Sequence, residues 1–444
     1  MSAETSPPRA EPLSAADTAH LDIEAAGQPN VVLLAARLGV GGIVRADGSV
    51  DLERLRAEVG ARLERDDGTL RRLRQRVDAS GHRPVWRDCA PDLEWHVRPA
   101  DGLAGDATLA GLAGRLVAEP LPLDRPPWEL LLASGGSTSA PGLVLRLHHA
   151  AADGVGGMAL VSALFGAAPG SADQVSPRPL DVPPDLPDRR GRRGGSLAVL
   201  RGVRRAGAVL GRSVGPTPLL GPIGPTHGVA FVEVDLARLS DRAHRLGATL
   251  NDILLTSVAD AAVAALNHLH APVPAALPVS VPVALAERVG TSNAVGVMLV
   301  RVPTGPEGLG DRVSRVARAT REGKEVARSR GAFAVTRHRW GTRLFARFAR
   351  HQHAVAIFVS NVRGPSAGLR VAGAPVTGLW AVTPLQGNVR LGVTALSYAG
   401  VLSCSVHVDA AAVPLGVVAA GLATSLHRLA GTPVLPHPVG TTGS

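Results

Sequence analysis

One stretch of the chain, residues 168–195, differs in composition from everything around it. Its sequence, APGSADQVSPRPLDVPPDLPDRRGRRGG, is dominated by proline and charged residues and lacks the apolar periodicity of its surroundings. Such a segment is typical of an exposed linker, because it cannot continue a buried helix or strand. The chain has 444 residues, 45% of them hydrophobic, which is enough for two cores. The sequence therefore predicts an N-terminal half at 1–167, a linker at 168–195 and a C-terminal half at 196–444.

Helix and strand patterns are mixed within the first half. Residues 51–64 carry leucine and valine at helical spacing behind Asp51, which predicts a capped helix. Residues 93–98 alternate between apolar and polar side chains and predict a strand. Two apolar runs, 130–132 and 142–147, flank a turn rich in glycine and serine, which predicts a hairpin.

The second half shows the same mixture. Helices are predicted at 249–267 and 414–429, and a long basic helical stretch at 310–350. The predicted strands lie at 229–234, 279–283, 295–302, 355–359, 377–381, 389–398 and 401–408. The fold class predicted is therefore α/β, with mixed sheets in both halves.

Cysteine usage and the N-terminal sequence predict where the protein resides. The two cysteines, Cys89 and Cys404, cannot build a disulfide framework, and no Cys/His cluster offers a structural zinc site. The N-terminus has no basic stretch followed by an apolar one, and no segment makes a convincing membrane span. We therefore expect a cytoplasmic protein that binds no metal.

The string His148-His149-Ala150-Ala151-Ala152-Asp153-Gly154, written HHxxxDG, is the strongest chemical signal in the chain. It follows the apolar run LVLRL and precedes a glycine-rich bend, a place that fixes a side chain while leaving its tip accessible. His149 is the candidate base, since neutral imidazole is available near pH 7. Asp153 either orients that ring or locks the turn through an ion pair.

Two other interpretations of the histidine motif remain open from the residues alone. A histidine at a strand end is often structural, and Asp-Gly is a common turn. Metal binding is the other alternative, but adjacent strand residues point to opposite faces. His148 and His149 could therefore not easily share one ion, and no third ligand is evident.

Several further segments occur in the order found in one enzyme family. They are 13–17 (LSAAD), 92–98 (DLEWHVR), 122–130 (PLDRPPWEL), 251–252 (ND), 360–365 (SNVRGP) and 397–400 (SYAG) followed by Asp409. Together with HHxxxDG they resemble the bacterial wax ester synthase/acyl-CoA:diacylglycerol acyltransferases. That family belongs to the superfamily with the chloramphenicol-acetyltransferase-like fold, which also includes peptide-synthetase condensation domains. The resemblance implies two such halves, with the active site in a tunnel between them.

The resemblance also implies a reaction. A long-chain acyl group would pass from acyl-CoA, a co-substrate, to a hydroxyl of diacylglycerol or of a fatty alcohol, and no cofactor is implied. An alcohol is a weak nucleophile, so a base must remove its proton as it attacks the thioester. His149 takes that role, with His148, Asp153 and Gly154 completing the motif, and no covalent acyl-enzyme is needed.

Other motif residues receive positioning or structural roles. Asn251, Asp252, Ser360 and Asn361 are candidates for holding the oxyanion or the substrate. The alternative for them is an ordinary helix cap at Asn-Asp and an ordinary turn at Ser-Asn. The expected structural residues are Asp153, which shapes the turn, Trp128, Asp124 and Arg288. Arg288 stands two places later than the arginine of the family and is the candidate partner of Asp153.

Basic residues are concentrated in two stretches of a chain whose formal net charge is +10. Residues 189–212 alternate arginine with leucine and valine, and residues 312–350 interleave arginine with phenylalanine and tryptophan. The pattern predicts amphipathic helices on an anionic membrane or a lipid inclusion. Binding of coenzyme A phosphates and a merely solvated arginine face are the alternatives. Nucleic acid is not expected, because no recognition motif accompanies the charge.

Two rival functions remain beside the acyl-CoA enzyme. One is a natural-product acyltransferase or condensation-type enzyme that takes its donor from a carrier protein. The other is a lipid-binding protein that keeps the fold without turnover.

Overall fold

The structure is a computed structural model that describes residues 10–66, 68–81, 83–100, 108–133, 140–152, 154–166, 214–284, 295–329, 347 and 349–433. The linker predicted at 168–195 lies outside the described residues, and so do Asp153 and Arg288. The division into halves at that linker therefore stays a prediction.

The described strands are β1 (Ala10–Pro12), β2 (Val31–Leu38), β3 (Gln75–Asp78), β4 (Val85–Asp88), β5 (Val97–Pro99), β6 (Trp128–Ala133), β7 (Gly142–His148), β8 (His227–Asp235), β9 (Ala276–Ala284), β10 (Val295–Pro303), β11 (Ile357–Arg363), β12 (Arg370–Val371), β13 (Ala374–Val382), β14 (Leu391–Tyr398) and β15 (Val401–Asp409). The described α-helices are α1 (Ala15–Ala25), α2 (Leu52–Glu64), α3 (Leu93–His96), α4 (Leu109–Leu116), α5 (Gly154–Phe165), α6 (Leu236–Arg245), α7 (Leu250–His268), α8 (Leu309–Ser329) and α9 (Leu415–Ala430).

The first large sheet has the strand order β12-β13-β2-β7-β6-β5. Its pairs are antiparallel except for β5 beside β6. Helices α2 and α5 cover one face through a buried aliphatic core. The hairpin β12–β13 comes from residues 370–382, so a late segment of the chain completes a sheet built mainly from the first 150 residues.

The second large sheet has the order β10-β9-β11-β14-β15-β8. It is mixed, because β11 runs parallel to both β9 and β14 while the other pairs are antiparallel. Helices α7 and α9 cover one face, where Val393, Cys404 and Leu422 belong to a single aliphatic core. A small sheet of three strands has the order β1-β4-β3, and its Val77 and Trp86 share an apolar cluster with Ala150 and Ala151.

The two large sheets contact each other through residues of the remaining faces. Phe231 on β8 stacks on Trp380 of β13, with ring centroids 4.7 Å apart and planes 8° from parallel. Val229, Leu33 and Val144 share the same apolar cluster. A layer of buried side chains therefore joins the two sheets, as expected for two α/β halves that form one structure.

Most of the local predictions are confirmed. The Asp51 carboxylate caps α2 by accepting the Arg54 N–H at 3.0 Å, and the hairpin β6–β7 forms as expected. In the second half a strand or helix occupies each segment predicted from 229 to 302 and from 355 to 429.

The strand predicted at 93–98 is wrong for most of its length. Residues Leu93–His96 form the single helical turn α3, and only Val97 and Arg98 of the predicted segment belong to a strand. The Asp92 carboxylate accepts the N–H groups of Glu94 and Trp95, so a helix cap outweighs the alternating pattern.

Within the described residues, α7 alone is long and apolar enough to cross a membrane. Of its apolar stretch, 67% is buried inside the protein. Its apolar character is therefore accounted for by the core of the second sheet.

Candidate active site

The two motif histidines lie at the end of β7, an inner strand paired with β2 on one side and β6 on the other. Every residue of β7 is buried, and His148 is its last member. The His149 N–H donates to the carbonyl oxygen of Asn30 at 2.9 Å, and the Ala151 N–H donates to the carbonyl of His148. The chain then turns and begins α5 at Gly154. His149 is half-buried at this turn.

His148 is fully enclosed, and its ring accepts one hydrogen bond. The N–H of Ala150 donates to Nδ1 at 3.1 Å, so in the neutral ring the proton is on Nε2. That nitrogen faces the carboxylate Oε2 of Glu24 at 3.3 Å. His148 has no exposed surface, and the catalytic role predicted for it stays a prediction.

His149 is covered on one face by a second imidazole. The rings of His20 and His149 are stacked, with centroids 4.0 Å apart and planes 13° from parallel. The Asn30 amide donates to Nδ1 of His20 at 2.9 Å. Burial, together with the charges of His149 and His148, holds the pKa of His20 well below its ordinary value. His20 is therefore neutral at neutral pH.

Helix α1 supplies both His20 and Glu24, one turn apart on the same face. Its first turn is a capping box, in which Ser14 accepts the Asp17 N–H at 3.0 Å and Asp17 accepts the Ser14 N–H at 3.2 Å. Trp86 also donates to the Asp17 carboxylate. The LSAAD segment noted in the sequence is thus the start of the helix that contacts both motif histidines.

Ser360 and Asn361 lie on β11, which is parallel to β14 along most of its length. β11 pairs with β9 only through Ile357 and Phe358, so both residues lie beyond the point where β9 and β11 stop pairing. β11 also contacts α5, the helix that follows the histidine turn.

Asn251 and Asp252 begin α7. Asp252 is buried, and its carboxylate accepts hydrogen bonds from the N–H and the hydroxyl of Thr249 at 2.8 and 2.7 Å. Thr320 of α8 donates to the other oxygen at 2.6 Å. The two bonds with Thr249 are those expected if Asn-Asp is an ordinary helix cap. The bond with Thr320 connects α7 to α8. The positioning roles predicted for Asn251 and Asp252 stay predictions.

The structural motif residues are placed as follows. Trp128 is buried, and its Nε1–H donates to the Leu73 carbonyl at 2.9 Å. Asp124 is exposed and lies 3.5 Å from Nε of Arg125. The interaction predicted between Asp153 and Arg288 falls outside the described residues, and Gly154 is the first residue of α5.

A metal centre is not supported by the side chains that the structure places. His148 is directed to Glu24 and His149 to His20, so the two motif rings do not converge on one point. Among the described residues, no three His, Cys, Asp or Glu side chains are grouped as metal ligands.

Sequence reasoning missed four residues of this site. They share contacts with the motif turn or with each other, and they are His20, Glu24, Asn30 and Gln386. The signal for the first two was their spacing of four behind a capping box, which places them on one helix face. Asn30 and Gln386 carry no local signal.

Comparison with known proteins adds independent information. The profile of the wax ester synthase/diacylglycerol acyltransferase catalytic domain matches residues 13–254, and that of the C-terminal domain of the same proteins matches residues 291–430. A Mycobacterium tuberculosis H37Rv protein, named as a candidate diacylglycerol O-acyltransferase, is 29% identical over 376 residues, which are 73% of this chain and 71% of that protein.

Two solved structures are similar in fold. The wax ester synthase/diacylglycerol acyltransferase of Marinobacter aquaeolei VT8 superimposes with a TM-score of 0.67 at 22% identity, over 95% of this chain and 100% of that one. The first condensation domain of the CDA synthetase gives a TM-score of 0.54 at 18% identity, over 96% and 97% of the two chains. The predicted mixed α/β fold of the condensation-domain type is thereby confirmed.

Proposed function

This chain belongs to the wax ester synthase/diacylglycerol acyltransferase family and is an acyltransferase, and we propose that it moves a long-chain acyl group from acyl-CoA to a hydroxyl. The acceptor class is diacylglycerol or a long-chain alcohol. The observation that carries the proposal is His149, half-buried at the end of β7 and fixed through its backbone and its ring. A general base needs this combination of a fixed position and partial access.

The chemistry requires one proton acceptor. His149 accepts the proton of the attacking hydroxyl as its oxygen forms a bond to the thioester carbonyl carbon. When the tetrahedral intermediate collapses, the carbon–sulfur bond breaks and the proton passes from His149 to the leaving thiolate. Both substrates meet at one imidazole, so no side chain needs to be acylated, and their alignment supplies much of the rate.

The oxyanion of the intermediate needs hydrogen-bond donors. We assign this role to Ser360 and Asn361, because β11 contacts the helix that follows the histidine turn. Asn251 is the second candidate, half-buried at the start of α7. Asp153 and Gly154 shape the turn after His149, and Arg288 is the candidate partner of Asp153.

The proposed substrates are lipids or lipid-like. We therefore propose that the protein is cytoplasmic and binds the surface of a membrane or of a lipid inclusion. The basic stretches at 189–212 and 312–350 are the candidate contacts, since arginines attract anionic headgroups and apolar residues insert between them. The phosphates of acyl-CoA are the competing partner for the same charges.

The test is an assay of the purified protein with palmitoyl-CoA and either dioleoylglycerol or hexadecanol. We expect release of free coenzyme A together with a neutral lipid product. His149→Ala should lower kcat by about 10²–10⁴, the usual contribution of a general base. His268→Ala removes an exposed imidazole at the end of α7 and serves as the matched control.

Three results would contradict the proposal. A His149→Ala variant with normal turnover would exclude the imidazole as base. Turnover only with an acyl group on a carrier protein would favour the natural-product alternative. Lipid that co-purifies with the protein, without any turnover, would favour the binding-protein alternative.

A further inference from the structure

His20 lies flat against His149, and we propose that His20, held in one tautomer by Asn30, is a positioning residue that fixes the ring of His149 for proton transfer. The proposal rests on the function proposed above for His149. It concerns α1 and the segment before β2, both of which lie outside the HHxxxDG motif.

The tautomer of His20 follows from the hydrogen bonds of Asn30. The side-chain amide of Asn30 lies 3.0 Å from the backbone carbonyl oxygen of His20. A carbonyl oxygen only accepts, so the group facing it must be the NH₂ of Asn30. The same nitrogen lies 2.9 Å from Nδ1 of His20 and donates its second hydrogen there. Nδ1 therefore carries no proton, and the proton of the neutral ring is on Nε2.

The orientation of the Asn30 amide is fixed from the loop that joins the two large sheets. Gln386, in the loop between β13 and β14, donates from Nε2 to Oδ1 of Asn30 at 3.0 Å. The next residue, Gly387, exchanges two hydrogen bonds with the side chain of Gln28, at 2.7 and 2.9 Å. Asn30 has no exposed surface, so water does not compete for its amide. A rotation of this amide would break three hydrogen bonds at once.

The charges around His20 favour a neutral ring. The titratable groups that face it are His149 across the stack, His148 beside it on β7, and Glu24 one turn along α1. Glu24 is directed to His148 and to the Asn30 N–H. Burial and the two histidines all lower the pKa of His20. A neutral neighbour matters, because His149 becomes positively charged each time it takes a proton, and a charged ring 4.0 Å away would oppose this.

The first experiment tests whether His20 acts only through the contact of its ring with His149 or also by carrying a proton. His20→Ala removes the ring, and we expect kcat to fall at least tenfold with KM within twofold, because His149 loses its fixed orientation. His20→Phe restores a flat ring without a titratable group and should recover kcat to within about threefold. A normal kcat in His20→Ala, or equal losses in both variants, would refute the positioning role.

The second experiment uses the pH profile, which a merely structural role would not change. Asn30→Asp places a carboxylate at Nδ1 of His20 and should favour the protonated ring. We expect kcat at pH 6 to fall more than tenfold relative to pH 8, with recovery as the pH rises. The double variant His20→Phe/Asn30→Asp lacks the titrating ring, so this additional pH dependence should disappear. Its persistence in the double variant would overturn the proposal.

A measurement without turnover distinguishes this proposal from the proposed function. Proton NMR of the protein labelled with [¹³C]histidine should show one resonance, absent in His20→Phe, that titrates at higher pH in Asn30→Asp than in the unsubstituted protein. His268→Ala serves as the assignment control. An inactive protein with the expected titration would refute the acyltransfer function only. An unchanged titration in Asn30→Asp would refute the role of Asn30, whatever the activity.

Discussion

His407 gives the most direct test of the buried layer between the two sheets. It is 2% exposed, on β15. The carbonyl of Thr383 lies 2.8 Å from Nδ1 and can only accept, so Nδ1 carries the proton. Nε2 then accepts from Nδ1 of His227 at 2.8 Å. Burial lowers the pKa of His407 to about 3, against the opposing effect of the Thr383 hydrogen bond and with a further lowering by His227.

The sign of the effect on stability follows from proton uptake. An unfolded histidine titrates near pH 6.5, so below that pH the unfolded chain binds a proton that folded His407 does not. The free energy of unfolding therefore falls as the pH falls from about 6.5 towards 3. At pH 5 the loss relative to pH 8 is about 2 kcal/mol. This magnitude depends only on the unfolded value, because folded His407 is uncharged at pH 5.

The variant His407→Asn keeps a donor for the Thr383 carbonyl but does not titrate. We expect lower stability at every pH, because His227 loses its acceptor, and a loss between pH 8 and pH 5 that is about 2 kcal/mol smaller than in the unsubstituted protein. Urea unfolding followed by circular dichroism measures both. His268→Ala, at an exposed site, should leave the pH dependence as it was. Parallel pH curves for His407→Asn and the unsubstituted protein would refute the reasoning.

Three further substitutions test the fold around the site. Asp252→Ala removes the cap of α7 and the partner of Thr320, so the free energy of unfolding should fall by about 2 kcal/mol in urea. Gly387→Ala adds a Cβ at φ +66°, 2.6 Å from a backbone carbonyl oxygen, and should lower the melting temperature and kcat together. Trp128→Phe loses the bond to Leu73 and part of a fully buried ring, so we expect about 2 kcal/mol less stability and kcat within twofold; a large rise in KM would instead indicate substrate contact.

The parts of the fold that the sequence predicts are those whose determinants are local. Helix α2 follows from a cap and a 3.6-residue period within fourteen residues, 51–64. The hairpin β6–β7 follows from two apolar runs around one turn. Residues 93–98 show the limit of this reasoning: their alternating pattern predicts a strand, but the cap at Asp92 begins a helical turn in the same segment.

Strand partners that are distant in the sequence could not be predicted in this way. β13 pairs with β2 although more than 330 residues separate them, and its pattern of buried residues fits either sheet. Such a pattern indicates that one face of the strand is buried, but it does not identify the strand or sheet that covers it. For this reason the strand predicted at 377–381 was assigned to the second half, while the structure pairs it with the first sheet.

The residues of the candidate site also fall into a local group, which the sequence predicts, and a distant group, which it does not. His148 and His149 form a contiguous motif, so their chemistry is visible in the sequence. Their surroundings come from α1, the start of β2 and the loop before β14. Asn30 and Gln386 are single amides within unremarkable segments, and only the folded chain shows that they bond to each other.

The capping box of α1 gives a physical reason for the LSAAD segment to accompany the histidine motif. Ser14 and Asp17 fix where the helix begins, and with it the rotation of every later side chain about the helix axis. His20 and Glu24, four residues apart, then lie about 6 Å from each other along that axis. His149 and His148 are adjacent at a strand end, where the chain turns and their rings separate. A helix that began one residue earlier or later would rotate its contact face by about 100°, and neither histidine would meet its partner.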